Sequence, residues 1–324
     1  MAVMTYLEAI ADGLREAMRA DPSVVVLGED VGVYGGVFKL TKGFLDEFGP
    51  ARVIDTPISE AAIVGAAVGA ALVGLRPVVE MQFADFISNA FTQMVNVAAT
   101  SAYRAGGCVP MVVRAPCGAG THGGPFHSQS IEGYFFHTPG LKIVMPSTPA
   151  DAKGLMLAAI ADPNPVLYLE HKALYRSQRG PVEAGLAFEP LGRAALRRAG
   201  THLTVLTYGM MVHRCLEAAE RAAAEGIETE VIDLRTLLPL DLETIAESAA
   251  RTSRVLIVHE DRLRGGLGAE IAAHLGEHLF TSLDAPISRI SAPDTPVPYA
   301  PPLETAYLPS VDRIFDGIAR LARW

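Results

Sequence analysis

In DTPISEAAIVG a carboxylate, Glu60, opens a long apolar stretch. Pro57 fixes the chain ahead of it and Ser59 stands at a capping position, so Glu60 is expected in the first turn of a helix. An acid there ordinarily does no more than meet the positive end of the helix dipole. It is also the clearest candidate for acid–base chemistry in the chain. A second candidate is the aromatic set in EMQFADFISNAF, where Phe83 and Phe86 follow an apolar run. Rings in that position more often fill a core than carry a ligand. The third is RAPCGAGTHGGPFHSQSIEG, a glycine-rich loop bearing His122 and His127. An imidazole titrates near neutrality and can serve as acid or base, although a surface loop with solvated histidines has the same composition. Long irregular loops in compact domains are enriched in functional sites. Ser128 lacks a GxSxG setting, and GEDVGVYGGVFKL matches neither GxxxxGK[ST] nor GxGxxG, so neither a serine nucleophile nor a nucleotide loop is indicated.

The elements that must position these residues read as alternating strands and helices. Thr5 begins a helix in a capping-box pattern with Glu8, and Leu7, Ile10, Leu14 and Met18 recur at helical spacing before Asp21-Pro22. Short runs rich in β-branched residues follow: VVVL from Val24, RVID from Arg52, PVVEM from Pro77, MVVR from Met111, KIVM from Lys142 and VLYL from Val166. Continuous apolar runs of this kind suit parallel strands covered on both faces. Helices are predicted between them over 60–75, 87–102 and 150–161. The pattern loosens over about 170–200, read as a linker, and a second alternation begins at LTVLTY and closes with an amphipathic helix ending at Trp324. The expectation is α/β throughout, with a first domain over 1–185 and a smaller second one over 200–324. In the 60–75 helix, Gly65 and Gly69 lie one turn apart beside Ala62, Ala66 and Ala70, a face that lets another backbone approach closely. It fits either a tightly packed internal helix or a subunit interface.

Composition excludes some classes. The chain has 324 residues, half of them apolar and only 19% charged, against roughly 25% in soluble chains. The net charge of −9 argues against general nucleic-acid binding. Cys108, Cys117 and Cys215 form no CxxC pair and suit a reducing, cytoplasmic compartment. The first residues lack the pattern of a signal peptide, and the longest apolar run, Ala61 to Leu75, falls short of the ~20 residues a membrane span needs.

Taken together, GEDVG at Gly28, DTPISE ending at Glu60, GLRPVVEMQFADF ending at Phe86, HSQS at His127, PGLKIVMPSTPADAKGL from Pro139 and VIDLRTLLPLD from Val231 resemble the beta subunits of thiamine-diphosphate-dependent 2-oxoacid dehydrogenases. The resemblance runs from the first helix to the last. It implies a pyrimidine-binding parallel-sheet domain followed by a transketolase C-terminal-like α/β domain, in an α2β2 tetramer. It implies that the alpha subunit holds the Mg2+-diphosphate while this chain holds the aminopyrimidine. Glu60 then pairs with the pyrimidine N1′, Phe86 stacks on the ring, Ile58 lies beside it, Glu29 is a supporting acid and His127 faces the substrate channel. The cofactor makes its own base, a 4′-imino group favoured by the carboxyl at N1′, and acts as the electron sink. Some members also bind potassium through backbone carbonyls, and the matching positions are Met111, Ala159, Asp162 and Asn164. An ordinary helix end closed by Pro163 and Pro165 is the alternative there. The second domain is the family's usual docking surface for the acyltransferase core.

No Gly-Asp-Gly, the family's opening of the metal–diphosphate site, occurs in the chain, so it is expected to be inactive without its partner. A truncated transketolase or deoxyxylulose-type synthase is disfavoured on that ground. A non-catalytic assembly or electron-transfer subunit is disfavoured by the presence of Glu60. QFADF and FHSQS are more similar to branched-chain members than to pyruvate or acetoin members, so a branched 2-oxoacid is the expected substrate.

Overall fold

The computed structural model describes residues 1–324. The chain divides into two compact units, Met1–Cys117 with Tyr134–Leu191, and Gly118–Gly133 with Gly192–Trp324. The glycine-rich loop therefore groups with the second unit, although it is inserted in the sequence of the first.

The first unit comprises β1 (Ala2–Thr5), α1 (Tyr6–Ala20), β2 (Val24–Gly28), α2 (Phe44–Phe48), β3 (Val53–Asp55), α3 (Glu60–Leu72), β4 (Arg76–Glu80), α4 (Ser101–Ala105), β5 (Val112–Cys117), β6 (Lys142–Val144), α5 (Pro149–Ala161), β7 (Val166–His171), α6 (Leu174–Ser177) and β8 (Arg179–Val182). Its main sheet is parallel, in the order β6-β7-β5-β4-β2-β3. All residues of β2, β5 and β7 are buried, as their continuous apolar runs require. The capping box of α1 forms as its sequence predicts. Glu8 N donates to Thr5 Oγ1 at 3.2 Å while Thr5 N donates to Glu8 Oε2 at 2.7 Å. β1 pairs antiparallel with β8, so the stretch around 170–200 carries ordered structure.

The helix predicted over 87–102 is not continuous. A 3-10 turn (Ala84–Ala90) and a π-helical segment (Gln93–Ala98) precede α4. Thr92, Val95, Asn96, Val97 and Thr100 are weak helix formers, and the widened turn lets Ala99 N donate to Met94 O at 3.0 Å. The carbonyl of Ala99 then lies against Gly140, where φ is +90° and a Cβ would come within 2.0 Å of that oxygen. Only glycine fits this approach.

The second unit adds β9 (Ala195–Arg198), β10 (Leu203–Thr207), α7 (Met211–Ala224), β11 (Thr229–Asp233), β12 (Thr236–Leu238), α8 (Leu242–Thr252), β13 (Val255–Arg262), α9 (Leu267–Leu279), β14 (Ser288–Ala292), α10 (Pro301–Tyr307) and α11 (Val311–Leu321). Its sheet runs β14-β13-β10-β11-β9, parallel except for β9 at the edge. Val205, Val231 and Leu256 on the strands pack with Ile314 and Ile318 of α11 in one core. No helix of the chain is long and apolar enough to cross a membrane.

Candidate active site

In the first unit β3, β2 and β4 lie side by side, with Gly28 paired to both Asp55 and Glu80. The chain thus leaves all three strands at the same carboxyl edge of the sheet, the edge where open parallel sheets receive ligands. The segments leaving there carry Glu29, then Ile58 to Glu60, then Phe83 to Phe86. Glu60 is the first residue of α3 and is 9% exposed, and Glu29 is buried as well. Burial, and after it the negative charge of Glu60, pushes the Glu29 carboxyl above its ordinary range, while the Ser59 N–H that it accepts pulls it down. Ser59 makes no side-chain cap to α3. Asn89 Nδ2 donates to Glu60 Oε2 at 3.2 Å, a partner that sequence inspection did not single out. Asn89 lies within reach of Glu60 only because the 3-10 turn folds it back. Phe86 is half-buried and stands edge-on to Phe83, with centroids 5.8 Å apart. Ile58 is 83% exposed, an apolar side chain offered to something outside the chain.

The histidine loop lies in the second unit and is tied down rather than mobile. Ala119 N donates to Glu260 Oε1 at 2.6 Å, and Ser130 Oγ donates to the same oxygen at 3.4 Å. Tyr208 donates to Glu132 Oε1 at 2.9 Å. Arg262 donates to Gln129 Oε1 at 3.1 Å. Ser128, whose side chain is wholly buried, accepts the N–H of Gly123 at 3.2 Å and has no nucleophile's exposure. His127 is half-buried at the end of a short 3-10 turn. Beneath the loop burial, then the neighbouring Asp261 carboxylate, pushes Glu132 up to about 8. Burial likewise holds His259 down to about 4.

The four positions matched to a potassium site do not fit a cation as they stand. Met111 O already accepts Val166 N at 2.9 Å. Arg76 Nη1 donates to the carbonyls of Ile160 and Asp162 at 2.7 and 3.4 Å. Lys142 pairs with the Asp162 carboxylate, and Asn164 turns its own N–H groups toward Asp162 Oδ1. Ala159 sits one turn before the end of α5. Two fixed positive charges thus occupy the end of α5, where a potassium ion would have to compete with them. Close by, Asn164 helps line a mostly apolar cavity of about 600 Å3, whose other walls include Val95, Ala99, Tyr103 and Pro139. None of Glu29, Ile58, Glu60 or Phe86 lines it.

Sequence inspection also missed a buried ionic cluster on adjacent strands. Arg114 on β5 pairs with Glu80 on β4 and bidentately with Glu170 on β7, whose Oε2 also accepts Tyr175 Oη at 2.6 Å. Burial alone would lower the guanidinium pKa, but Glu170 and Glu80 outweigh it and hold Arg114 firmly charged. Each charge sits singly within an apolar run, so only the strand order reveals the cluster.

An acid pair at the carboxyl edge of a parallel sheet, with a second α/β unit following, defines a transketolase-type arrangement. The transketolase pyrimidine-binding domain family matches residues 2–178 and the transketolase C-terminal domain family residues 192–314. The chain belongs to the beta-subunit family of the thiamine-diphosphate-dependent 2-oxoacid dehydrogenases. It is 49% identical to the 2-oxoisovalerate dehydrogenase subunit beta of Bacillus subtilis, covering 100% of both chains. It is 44% identical to the pyruvate dehydrogenase E1 component subunit beta of the same organism, covering 96% of each. A solved structure described as a split-gene transketolase in an inactive beta4 tetramer superposes with a TM-score of 0.81 at 25% identity, over 99% of this chain and 98% of that one.

Proposed function

We propose that this chain supplies the aminopyrimidine half of a branched-chain 2-oxoacid dehydrogenase site and acts in an α2β2 assembly. The observation that carries the reading is the buried Glu29–Glu60 pair beside Phe86 at the carboxyl edge of the first sheet. These residues fit thiamine diphosphate by the chemistry of the donor set: a buried carboxyl for a ring nitrogen, an aromatic face for a flat heterocycle, and an exposed aliphatic chain. When bound, the cofactor supplies the carbanion and the electron sink for decarboxylation.

The chain's own residues hold the ring and manage its proton. Glu60 binds N1′ and exchanges a proton there, with Asn89 orienting its carboxyl through Oε2. Glu29, held above its ordinary range first by burial and then by the negative charge of Glu60, disfavours a second negative charge beside the ring. Phe86 gives the ring a face to stack on, and Ile58 gives it an apolar contact. His127 serves substrate turnover rather than cofactor binding. The Mg2+-diphosphate is assigned to the alpha partner, because no Gly-Asp-Gly is present in this chain. Potassium has no part in the reading. The second unit is assigned the contact with the acyltransferase core, and the complex the cytoplasm.

The branched-chain assignment rests on the higher identity to a 2-oxoisovalerate dehydrogenase subunit, and the pyruvate dehydrogenase relative supports the second reading. Ranking kcat/KM for 2-oxoisovalerate and pyruvate in the complex reconstituted with its alpha subunit decides between them. Preference for pyruvate would replace the first reading with the second, and absence of 2-oxoacid decarboxylation would sink both.

A further inference from the structure

Phe86 does not stand alone at the carboxyl edge of the first sheet. Phe86 N donates to Phe83 O at 3.1 Å, closing a 3-10 turn. Residues three apart in such a turn lie one above the other, so the two rings meet on one side, edge-on with centroids 5.8 Å apart. Phe83 in turn stands edge-on to Phe38 at 5.7 Å, and Phe38 lies 5.0 Å from Tyr175. The rings therefore form a row, Tyr175, Phe38, Phe83 and Phe86, drawn from separate stretches of the chain.

The far end of the row is fixed by charge. Tyr175 Oη donates to Glu170 Oε2 at 2.6 Å, and Glu170 is paired with the buried Arg114. The segment carrying Phe38 rests on the same cluster: Gly36, with φ +76°, lies where a Cβ would come 3.0 Å from Glu80 Oε1. That segment is closed on itself as well. Gly36 N donates to Asp30 O at 2.8 Å, Thr41 N to Gly35 O at 3.2 Å, and Thr41 Oγ1 to Val31 O at 2.6 Å. Lys172 Nζ, 5.9 Å from the Phe83 centroid, sets a cation near the middle of the row. The row and its supports all belong to the first unit.

Rings that only fill a core are buried all round, as Tyr6, Phe44 and Phe135 are at 0% exposure. Phe38, Phe83 and Phe86 are each half-buried. One end of the row is thus anchored inside the sheet, and the other lies at the edge that carries Glu60. A half-open phenyl ring turns about its side-chain bonds unless its neighbours restrain it. A stacking face that must first be ordered binds a flat ring less tightly than one already held in place.

From this geometry we infer that Phe83 is the positioning residue of the Phe86 stacking face, with Phe38 and Tyr175 carrying the restraint back to the Arg114 cluster. The inference rests on the proposed thiamine-diphosphate site, in which Phe86 meets the aminopyrimidine. It assigns cofactor affinity to the row and leaves proton exchange to Glu60. Phe83 sets the stance of the Phe86 ring before the cofactor arrives.

The test uses the complex reconstituted with the alpha subunit and compares Phe83→Leu, Phe38→Leu, Phe86→Leu and the double variant Phe83→Leu/Phe86→Leu. Thiamine diphosphate affinity is read by calorimetry in the presence of Mg2+, and kcat is read at saturating cofactor. Phe83→Leu should weaken cofactor binding ~3- to 10-fold, the scale of one edge-to-face ring pair. Its kcat at saturation should fall less than ~twofold, as for an interaction shared by ground and transition states. In the Phe86→Leu background the same substitution should add less than ~twofold, because the face it positions is gone. Fully additive losses overturn the positioning role, as does wild-type affinity in Phe83→Leu or a loss in kcat as large as the loss in affinity. Phe38→Leu carries the same measurements should Phe83→Leu fail to fold. The row is read without cofactor, partner or turnover by 19F NMR of the full chain labelled with 4-fluorophenylalanine, the Phe86 resonance being assigned by its absence from Phe86→Leu. That resonance should shift in Phe83→Leu and in Phe38→Leu. A position unmoved by Phe83→Leu removes the restraint, and one unmoved by Phe38→Leu removes Phe38 from it. A wild-type complex that binds no thiamine diphosphate would overturn the proposed site and with it the role of Phe83 there, whereas wild-type binding with an indifferent Phe83→Leu overturns this inference alone.

Discussion

Glu60 shows how far one residue's role can be separated from its stabilising effect by magnitude. As a first-turn acid it contributes about 0.3–1 kcal/mol through the dipole, whereas an acid–base group typically contributes ~100- to 10,000-fold in rate. Glu60→Gln keeps the size and the Asn89 contact, so the variant should fold, assemble and bind thiamine diphosphate while exchanging the cofactor's C2 proton at least ~100-fold more slowly. Hydrogen–deuterium exchange at C2 in the reconstituted tetramer measures this, and wild-type exchange would sink the assignment. Glu132 makes a different prediction. Its folded pKa, about 8, lies above the ordinary 4.5, so the folded state holds a proton that the unfolded state has lost between those values. Stability from this group is complete below about 4.5 and declines as pH rises toward about 8, by at most ~1.4 kcal/mol per pH unit. Glu132→Gln should therefore raise Tm at pH 8 more than at pH 5, as differential scanning fluorimetry across pH will read. An equal shift at both values would mean that the carboxyl ionises freely in the fold.

At the scale of elements, α3 is the most informative. Ala62, Gly65, Ala66 and Gly69 are exposed and Ala70 is half-buried, so this small-residue face is largely open in the chain by itself, which disfavours the internal-helix alternative. A Cβ on Gly69 would meet no atom within 4 Å, and one on Gly65 only Gln93 Cγ at 3.7 Å. Gly69→Leu should accordingly leave the chain's own folding free energy within about 1 kcal/mol of wild type, or raise it slightly as a helix-interior glycine is removed. The same substitution should block close approach of a second backbone and weaken assembly at least tenfold. Sedimentation velocity of the αβ mixture measures that, and an intact tetramer at wild-type concentrations would show that the face is not an interface. The strands make a complementary case. Arg114, Glu80 and Glu170 sit on three adjacent strands, so removing the central cation strands two buried acids. Arg114→Met should cost about 3–5 kcal/mol, read by chemical denaturation, and a loss under about 1 kcal/mol would mean that the cluster stays solvated.

For the whole molecule the expectation is dependence on a partner. With the pyrimidine-side residues present and no Gly-Asp-Gly, the chain alone should show no 2-oxoacid-dependent dye reduction, and adding the alpha chain should restore it. Turnover by the isolated chain would show that the metal–diphosphate half is not supplied from outside. A sustained potassium requirement is not expected while Arg76 and Lys142 occupy the end of α5. Activity lost in sodium buffer and regained with potassium would overturn that.

Sequence alone determined what depends on neighbours in the chain. The capping box at Thr5, the parallel strands written as unbroken apolar runs, and Glu60 at a helix start are all local patterns, and local sterics and burial enforce them. The long motifs from GEDVG to VIDLRTLLPLD carried the family as well, because several of them in order leave little room for coincidence. Tertiary structure decided what joins distant positions. Asn89 meets Glu60 because a predicted helix breaks into tighter and wider turns, and Arg114 meets Glu80 and Glu170 because β5 lies between β4 and β7. In the sequence His122 was open to an acid–base reading or a solvated one, and nothing there showed the Glu304 carboxylate that pairs with it. A hydrogen bond between residues 182 apart leaves no periodicity in the chain, since only the packing of α10 brings the carboxylate there.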